Sequence, residues 1–228
     1  MAPEDGKERT RGTKSEQTRT VIVAAALRLF LENGYEATTM RAIAKEAGVA
    51  TGSAYYYFSS KEDLILELYA RIQADHALAS RPVLDTETRL GRRLGGVLRA
   101  LIETQAPYHG FAARLYRYAA EPSSSLSPFS KESTLTRTAS IALYAEVVRG
   151  ARIRVPASVR ERLPELLWLY SMGIVLFWVH DTSPDCAKTY RLIDMTVPLA
   201  ERLIRLARLP FVRSLLRRVL AVIDATRA

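Results

Sequence analysis

With 228 residues, 48% of them apolar and 25% charged, the chain is long enough to bury the core of one large or two small globular domains. A formal net charge of +9 and a pI near 9.8 favour a polyanionic partner. The single cysteine, Cys186, excludes an intrachain disulfide framework and suits a reducing compartment, and the opening MAPEDGKERTRGTKSEQ lacks the apolar segment of a secretory leader.

Residues 1–14 are polar and of mixed charge, which predicts a disordered arm. Its Lys7, Arg9, Arg11 and Lys14 either reach a minor groove or stay solvated. Ser15–Glu32 reads as the first helix, with Gly34 as its stop. Thr39 suits an N-cap, because its hydroxyl can accept from an orphan N–H at the start of Met40–Glu46. Met40, Ile43, Ala44 and Ala47 fall at i, i+3, i+4 and i+7 and form one apolar stripe. Gly48 stands where that helix must stop in a left-handed conformation, Val49 pins the turn, and a second helix runs to Tyr57. Two short helices across a Gly-containing turn form a helix-turn-helix unit, whose second helix enters the DNA major groove.

The second helix carries residues suited to that task. Thr51, Gly52 and Ser53 are small and polar, so the helix N-terminus can approach base edges, and its free N–H groups favour a phosphate. Tyr55, Tyr56 and Tyr57 bring phenol hydroxyls that can donate to phosphate oxygens. Phe58 closes the small core, and Lys61 opens the next helix with a cation near the backbone.

The run IAKEAGVATGSAYYYFSSKEDL, from Ile43 to Leu64, resembles the signature of the TetR (tetracycline-repressor) family, roughly A-x-x-A-G-V-s-x-G-t-l-Y-x-[HY]-F-x-s-K-e-x-L. The resemblance extends over residues 15–65 or so. It implies a dimeric, all-helical, ligand-responsive transcriptional regulator whose last two long helices make a four-helix dimer interface. It assigns phosphate contacts to Thr39 and Lys61, the reading edge to Thr51, Gly52 and Ser53, and backbone or base contacts to Tyr55 and Tyr57. Two positions depart from the pattern. Ala50 stands where Ser or Thr usually caps the recognition helix, which leaves Thr51 as the alternative cap. Ala54 stands for the usual Leu or Ile, a smaller plug beneath the helix.

Lys61 to Ser80 reads as a helix ended by Pro82, with Leu64, Ile65, Leu68, Tyr69 and Ile72 on its buried side. Glu87–Gln105 and His109–Ala120 follow. Ser127-Pro128 has the cap-then-proline form that opens a helix, here to Arg149. Pro156 and Pro164 bracket a short piece, Pro164–His180 is an apolar helix, and Ser183-Pro184 opens another to Leu206, interrupted by Pro198. Pro210 opens the last, to Asp224. No run alternates as a strand does. The predicted class is all-α: a helix-turn-helix head over residues 15–63 and a helical ligand-binding and dimerisation bundle over 64–228. Leu166–Val179 is too short for an ordinary span of ~20 residues. It is apolar on nearly every face, so it must be buried on every side, either within one subunit or against a second copy.

A ligand cavity is expected among the helices between 87 and 180. Its candidate lining is Tyr108, Phe111, Tyr116, Trp168, Met172 and Trp178, with His109, Tyr118 and Phe177 as further candidates. The set suits an apolar or aromatic effector, and the same residues serve equally as plain core. His76, His109, His180 and Cys186 show no metal-ligand spacing, and GRRLGG at 91–96 lacks the Lys-Ser/Thr of a phosphate loop. With no nucleophile elbow, kinase set or dinucleotide fingerprint, no catalytic residue, metal or cofactor is expected. Glu201 to Ala228 carries seven arginines on a basic amphipathic pattern, which either meets a membrane or acidic partner or packs its apolar face on the bundle. The reading is a cytoplasmic, homodimeric, sequence-specific transcriptional regulator, a repressor released from a palindromic operator by ligand. The alternative is a peripheral membrane or protein-interaction module using that C-terminal helix.

Overall fold

The computed structural model describes residues 5–121 and 123–207, and among them every regular element is helical. The order is α1 (Asp5–Asn33), α2 (Met40–Glu46), α3 (Thr51–Tyr57), α4 (Lys61–Ala79), α5 (Arg81–Thr86), α6 (Leu90–Gln105), α7 (His109–Ala119), α8 (Thr134–Arg149), α9 (Ala157–Val179) and α10 (Ala187–Leu206). The chain divides into two compact units: residues 1–71 with 108–134, and residues 72–107 with 135–228. The division falls inside α4, and α7 belongs to the first unit although it lies between helices of the second.

In the first unit, α1 starts at Asp5 and not at Ser15, so residues 5–14 are helical where an arm was expected. Composition suggested disorder there, but the Lys, Glu and Arg residues of this segment are good helix formers, and lengthening an existing helix carries no nucleation cost. Ile22, Ala26 and Phe30, one turn apart, bury one stripe of α1 together with Val23 and Ala25. Against it pack Met40, Ile43 and Ala44 of α2, Ala54 of α3, Phe58, and Leu64, Ile65 and Leu68 of α4. Phe111 and Leu115 of α7 complete this core.

The second unit is built around α6, which packs most extensively on α10 and carries the buried residues Leu90, Leu94, Val97, Leu98, Leu101 and Ile102. The glycines of its GRRLGG run serve close packing. A Cβ on Gly91 would lie 2.4 Å from the Glu201 carboxylate, and one on Gly96 would lie 2.6 Å from the Val83 side chain. Pro82 does not simply end α4. It occupies the first turn of α5, where its missing N–H costs nothing.

Three further expectations on this half need correction. The long helix after Ser127-Pro128 begins only at Thr134. Ser127 Oγ accepts from Phe129 N (3.3 Å), and Ser130 Oγ donates to Ser125 O (2.8 Å) and accepts from Ser133 N (3.1 Å). These hydroxyls offer the backbone turns in place of a helix. Pro164 does not divide two helices, because α9 runs unbroken through it, and α10 likewise continues through Pro198. Val159, Leu163, Leu167, Ser171, Ile174 and Trp178 form one buried stripe on both sides of Pro164, and that burial outweighs the one lost backbone bond. At 23 residues α9 is therefore long and apolar enough to cross a membrane, contrary to the shorter run read from sequence, although core helices also have this length and composition. Within one chain its burial is one-sided, since Leu176 and Phe177 remain exposed. The helix expected from Pro210 to Asp224 lies outside the described residues.

Ser183-Pro184 leads into a tight turn, Pro184–Cys186, with Asp185 and Cys186 at positive φ, and α10 begins after it. The residue that holds this corner is Asp181. Its Oδ1 accepts from Ser183 N (2.9 Å) and Oγ (2.6 Å), and its Oδ2 accepts from Thr189 N (2.8 Å) and Oγ1 (2.7 Å). Burial alone would push this carboxyl up, but the four bonds outweigh it and hold Asp181 well below the usual carboxylate range.

Candidate nucleic-acid interface

The two helices of the motif, α2 and α3, are joined by a Schellman turn. Val49 N donates to Ala44 O (3.0 Å) and Gly48 N to Lys45 O (3.2 Å), with Gly48 at φ +67. At the other end Thr39 caps α2, its hydroxyl accepting from Ala42 N at 3.1 Å. Thr38 is buried beside it and donates to Gly34 O (2.8 Å) and Leu29 O (3.2 Å), which ties the approach to α2 onto the end of α1. The turn geometry that the Gly48 spacing predicts is thus present, and the helix bounds match those read from sequence.

The N-cap of α3 is Ala50, with no side-chain cap, and Thr51 is the first helical residue. The alternative of a Thr51 cap is therefore not realised. Ser53 N and Ala54 N bond back to Ala50 O (2.9 and 3.1 Å), so the N–H groups of Thr51 and Gly52 lead the helix outward without a side-chain acceptor. Thr51 and Gly52 are exposed, Ser53 half-buried and Ala54 fully buried, so α3 sits on its smallest side chain and lies close against the rest of the unit. Tyr55 is 51% and Tyr56 83% exposed, a large apolar surface for an isolated subunit. Tyr57 is half-buried, and its ring meets that of Tyr56 edge-on at 5.2 Å, which limits how Tyr56 can swing. Phe58 is core, with the Arg19 guanidinium 4.7 Å over its ring.

Lys61 lies at the start of α4, but its ammonium is already engaged. Nζ donates to Tyr35 O (2.6 Å) and Glu36 O (3.4 Å) and stands 4.4 Å over the Tyr35 ring. It joins α4 to the turn after α1 and has one N–H left for a phosphate. Arg41 and Lys45, both exposed on the outer face of α2, were not singled out from sequence. The clue was available: they lie four residues apart, opposite the Met40, Ile43 and Ala44 stripe.

The six expected pocket residues are not brought together in one unit. Tyr108, Phe111 and Tyr116 belong to the first unit, and Trp168, Met172 and Trp178 to the second. Phe111 in particular is part of the head's core, stacked on Phe30 with ring centroids 5.6 Å apart. Trp168 and Trp178 are buried and Met172 is half-buried. Among the described residues no group of His, Cys, Asp and Glu is placed to hold a metal ion.

A capped helix, a glycine turn and a second short helix with an exposed polar and aromatic face define a helix-turn-helix DNA-binding protein. Residues 22–68 match the sequence model of "Bacterial regulatory proteins, tetR family", and residues 93–221 match that of "Tetracyclin repressor-like, C-terminal domain". The chain belongs to the TetR family of transcriptional regulators, and its relatives are regulators and not enzymes. Among curated relatives, the HTH-type transcriptional regulator HbdR of Aromatoleum sp. is 39% identical over 83 residues, 36% of this chain and 31% of that one. The fatty acid metabolism regulator protein of Bacillus subtilis is 46% identical over 48 residues, 21% and 25% of the two chains. The HTH-type transcriptional repressor KstR2 of Mycobacterium tuberculosis is 33% identical over 91 residues, 40% and 46%. These matches span less than half the length of the curated relatives. Over the fold, the FadR regulator of Bacillus subtilis in complex with stearoyl-CoA aligns with a TM-score of 0.59 at 19% identity, covering 78% of this chain and 97% of that one. A tetR-family regulator of Streptomyces coelicolor aligns with a TM-score of 0.61 at 21% identity, covering 90% and 89%.

Proposed function

We propose that the protein is a repressor that binds a palindromic operator as a homodimer and is released from it by a small molecule. The observation that carries this reading is the outer face of α3, where Thr51, Gly52, Tyr55 and Tyr56 stand exposed beside an uncapped helix start. The same face suits a major groove, with phenol hydroxyls and backbone N–H groups for phosphates and close approach at Gly52 for base edges. Thr39, Ser53, Tyr57 and Lys61 flank it, and the +9 net charge favours the encounter with DNA.

Two-fold pairing is supported by a second surface. Met195, Leu199, Leu203 and Leu206 form an exposed apolar stripe along α10, and Leu176 and Phe177 are exposed on α9 beside the open Gly173. A second copy covering this stripe by the same stripe makes an isologous interface, the symmetry a palindrome requires. The effector we propose is apolar or amphipathic and is taken up in the second unit near Trp168, Met172 and Trp178. Long-chain acyl-CoA is the first class to test, because the Bacillus subtilis regulator of the same fold holds stearoyl-CoA. With DNA as its target, the protein acts in the cytoplasm.

The test is selection of sites from random duplex DNA, followed by affinity measured against salt concentration. An enriched palindrome, bound far more tightly than random DNA, is the expected result. Tyr55→Ala should then lose roughly 1–3 kcal/mol of binding, the size of one good contact, with the fold unchanged. A folded dimer that enriches nothing, with or without stearoyl-CoA, would sink the proposal.

A further inference from the structure

The first unit contains a segment the helix-turn-helix does not account for: α7, which follows α6 of the second unit in the chain. It is joined to the head by aromatic rings and by charge. Phe111 stacks on Phe30 with planes 4° apart, Phe30 meets Tyr35 at 5.3 Å, and Tyr35 meets Tyr118 at 5.4 Å. Phe111 and Tyr118 lie seven residues apart, two turns along one face of α7, so the helix grips the end of α1 at Phe30 and the turn after it at Tyr35. The Tyr118 hydroxyl donates to the Glu36 carboxylate, and the backbone carbonyl of Glu36 accepts from Lys61. Tyr35 is held in the same way: its hydroxyl donates to Glu62 Oε1 (2.5 Å) while its carbonyl accepts from Lys61 Nζ (2.6 Å). The segment so held, residues 34–39, ends in Thr39, the cap of α2.

We propose that Tyr118 is a positioning residue for operator binding: through Glu36 it sets the Tyr35–Glu36 carbonyls that aim the Lys61 ammonium at the DNA backbone. The inference rests on the DNA-binding reading above and adds its regulation. At its N-terminal side α7 follows α6 of the second unit after the short turn Ala106–Tyr108, so a displacement of α6 draws on the Tyr118–Glu36 bond and the Phe111–Phe30 stack. Loosening them frees Lys61 and the approach to α2 without unfolding either helix of the motif. Operator affinity then falls by loss of aim, with the reading face of α3 left intact.

The experiment uses the full-length protein and the duplex selected by the wild type. Tyr118→Phe keeps the ring contact with Tyr35 and removes only the hydroxyl, and Glu36→Gln weakens the same bond from the other side. Each should reduce operator affinity about five- to tenfold, the value of one ordinary hydrogen bond. The melting temperature should stay within a few degrees of wild type, and the salt slope should fall by about one phosphate contact. In a double-mutant cycle, Lys61→Met should cost much less in the Tyr118→Phe background than alone, because the two act through one contact. Wild-type affinity and salt slope in both single variants, or strictly additive effects with Lys61→Met, would overturn the inference while leaving the regulator reading in place. Failure of the wild type to select any site would remove both.

Discussion

Arg93 gives the sharpest test of how the second unit holds together. It is buried, 4% exposed, and its guanidinium donates to four backbone carbonyls: Nη1 to Leu84 O and Glu87 O (both 2.6 Å), Nη2 to Glu146 O (2.7 Å) and Nε to Val147 O (3.0 Å). Two of these lie at the end of α5 and two at the end of α8, where the helix dipoles place partial negative charge. Arg93→Met removes the donors from two buried and two half-buried carbonyls. A buried carbonyl left without its partner costs about 1–3 kcal/mol, and because Glu146 O keeps its bond from Gly150 N the four together come to about 3–5 kcal/mol. For a chain of this size that is on the order of 10 °C in melting temperature. Arg93→Lys keeps the charge on a single point that can reach one helix end but not both, so about half of the loss is expected. Gly150→Ala attacks the same contact from the other side, because a Cβ there would lie 2.3 Å from Arg93 Nη2. Thermal unfolding at fixed protein concentration, which matters if the protein dimerises, ranks the three variants. An Arg93→Met protein that melts within about 2 °C of wild type would show that the carbonyls are as well satisfied by water, and would refute the reasoning.

Gly48→Ala meets no steric neighbour, since nothing lies within 4 Å of a Cβ there, so its whole cost is the left-handed conformation, about 1–2 kcal/mol. Chemical denaturation should show that loss, and a neutral result would mean that the turn can relax to another form. Ala50→Ser places a hydroxyl at an N-cap already in extended conformation (φ −63, ψ 145) and should stabilise the protein by about 0.5–1 kcal/mol. It should also weaken DNA binding, because the serine takes up an N–H otherwise free for phosphate, and gains in both quantities would contradict that role. Asp181 is held below the usual carboxylate range in the folded protein, so its contribution is complete above the unfolded value of about 3.9 and is lost as pH falls through the folded one. The melting temperatures of wild type and Asp181→Asn should therefore differ at pH 7 and converge as the pH is lowered below about 4. A gap that stays constant with pH would mean that the carboxylate charge plays no part.

The local objects follow from neighbouring residues alone. Thr39, the stripe Met40–Ile43–Ala44 and Gly48 specify a capped helix and its stop within a few residues, and each works through its own neighbours. The bounds of α2 and α3 and the exposed face of the recognition helix were legible for that reason. Tertiary structure decided what depends on residues far apart in the chain. Pro164 and Pro198 look like breaks in a linear reading, yet both lie inside helices because burial along the whole element exceeds one lost bond. Phe111 looks like a pocket residue until Phe30, 81 positions earlier, is found stacked on it. Lys61 reads as a free cation for phosphate until the Tyr35 and Glu36 carbonyls are found beneath it. Arg93 sits in a run that local rules explain only as glycine-rich, and its four acceptors come from two separate segments. Short-range capping and periodicity are written in neighbouring residues, whereas the partner of a buried charge or a stacked ring is chosen by packing among helices that only the folded chain brings side by side.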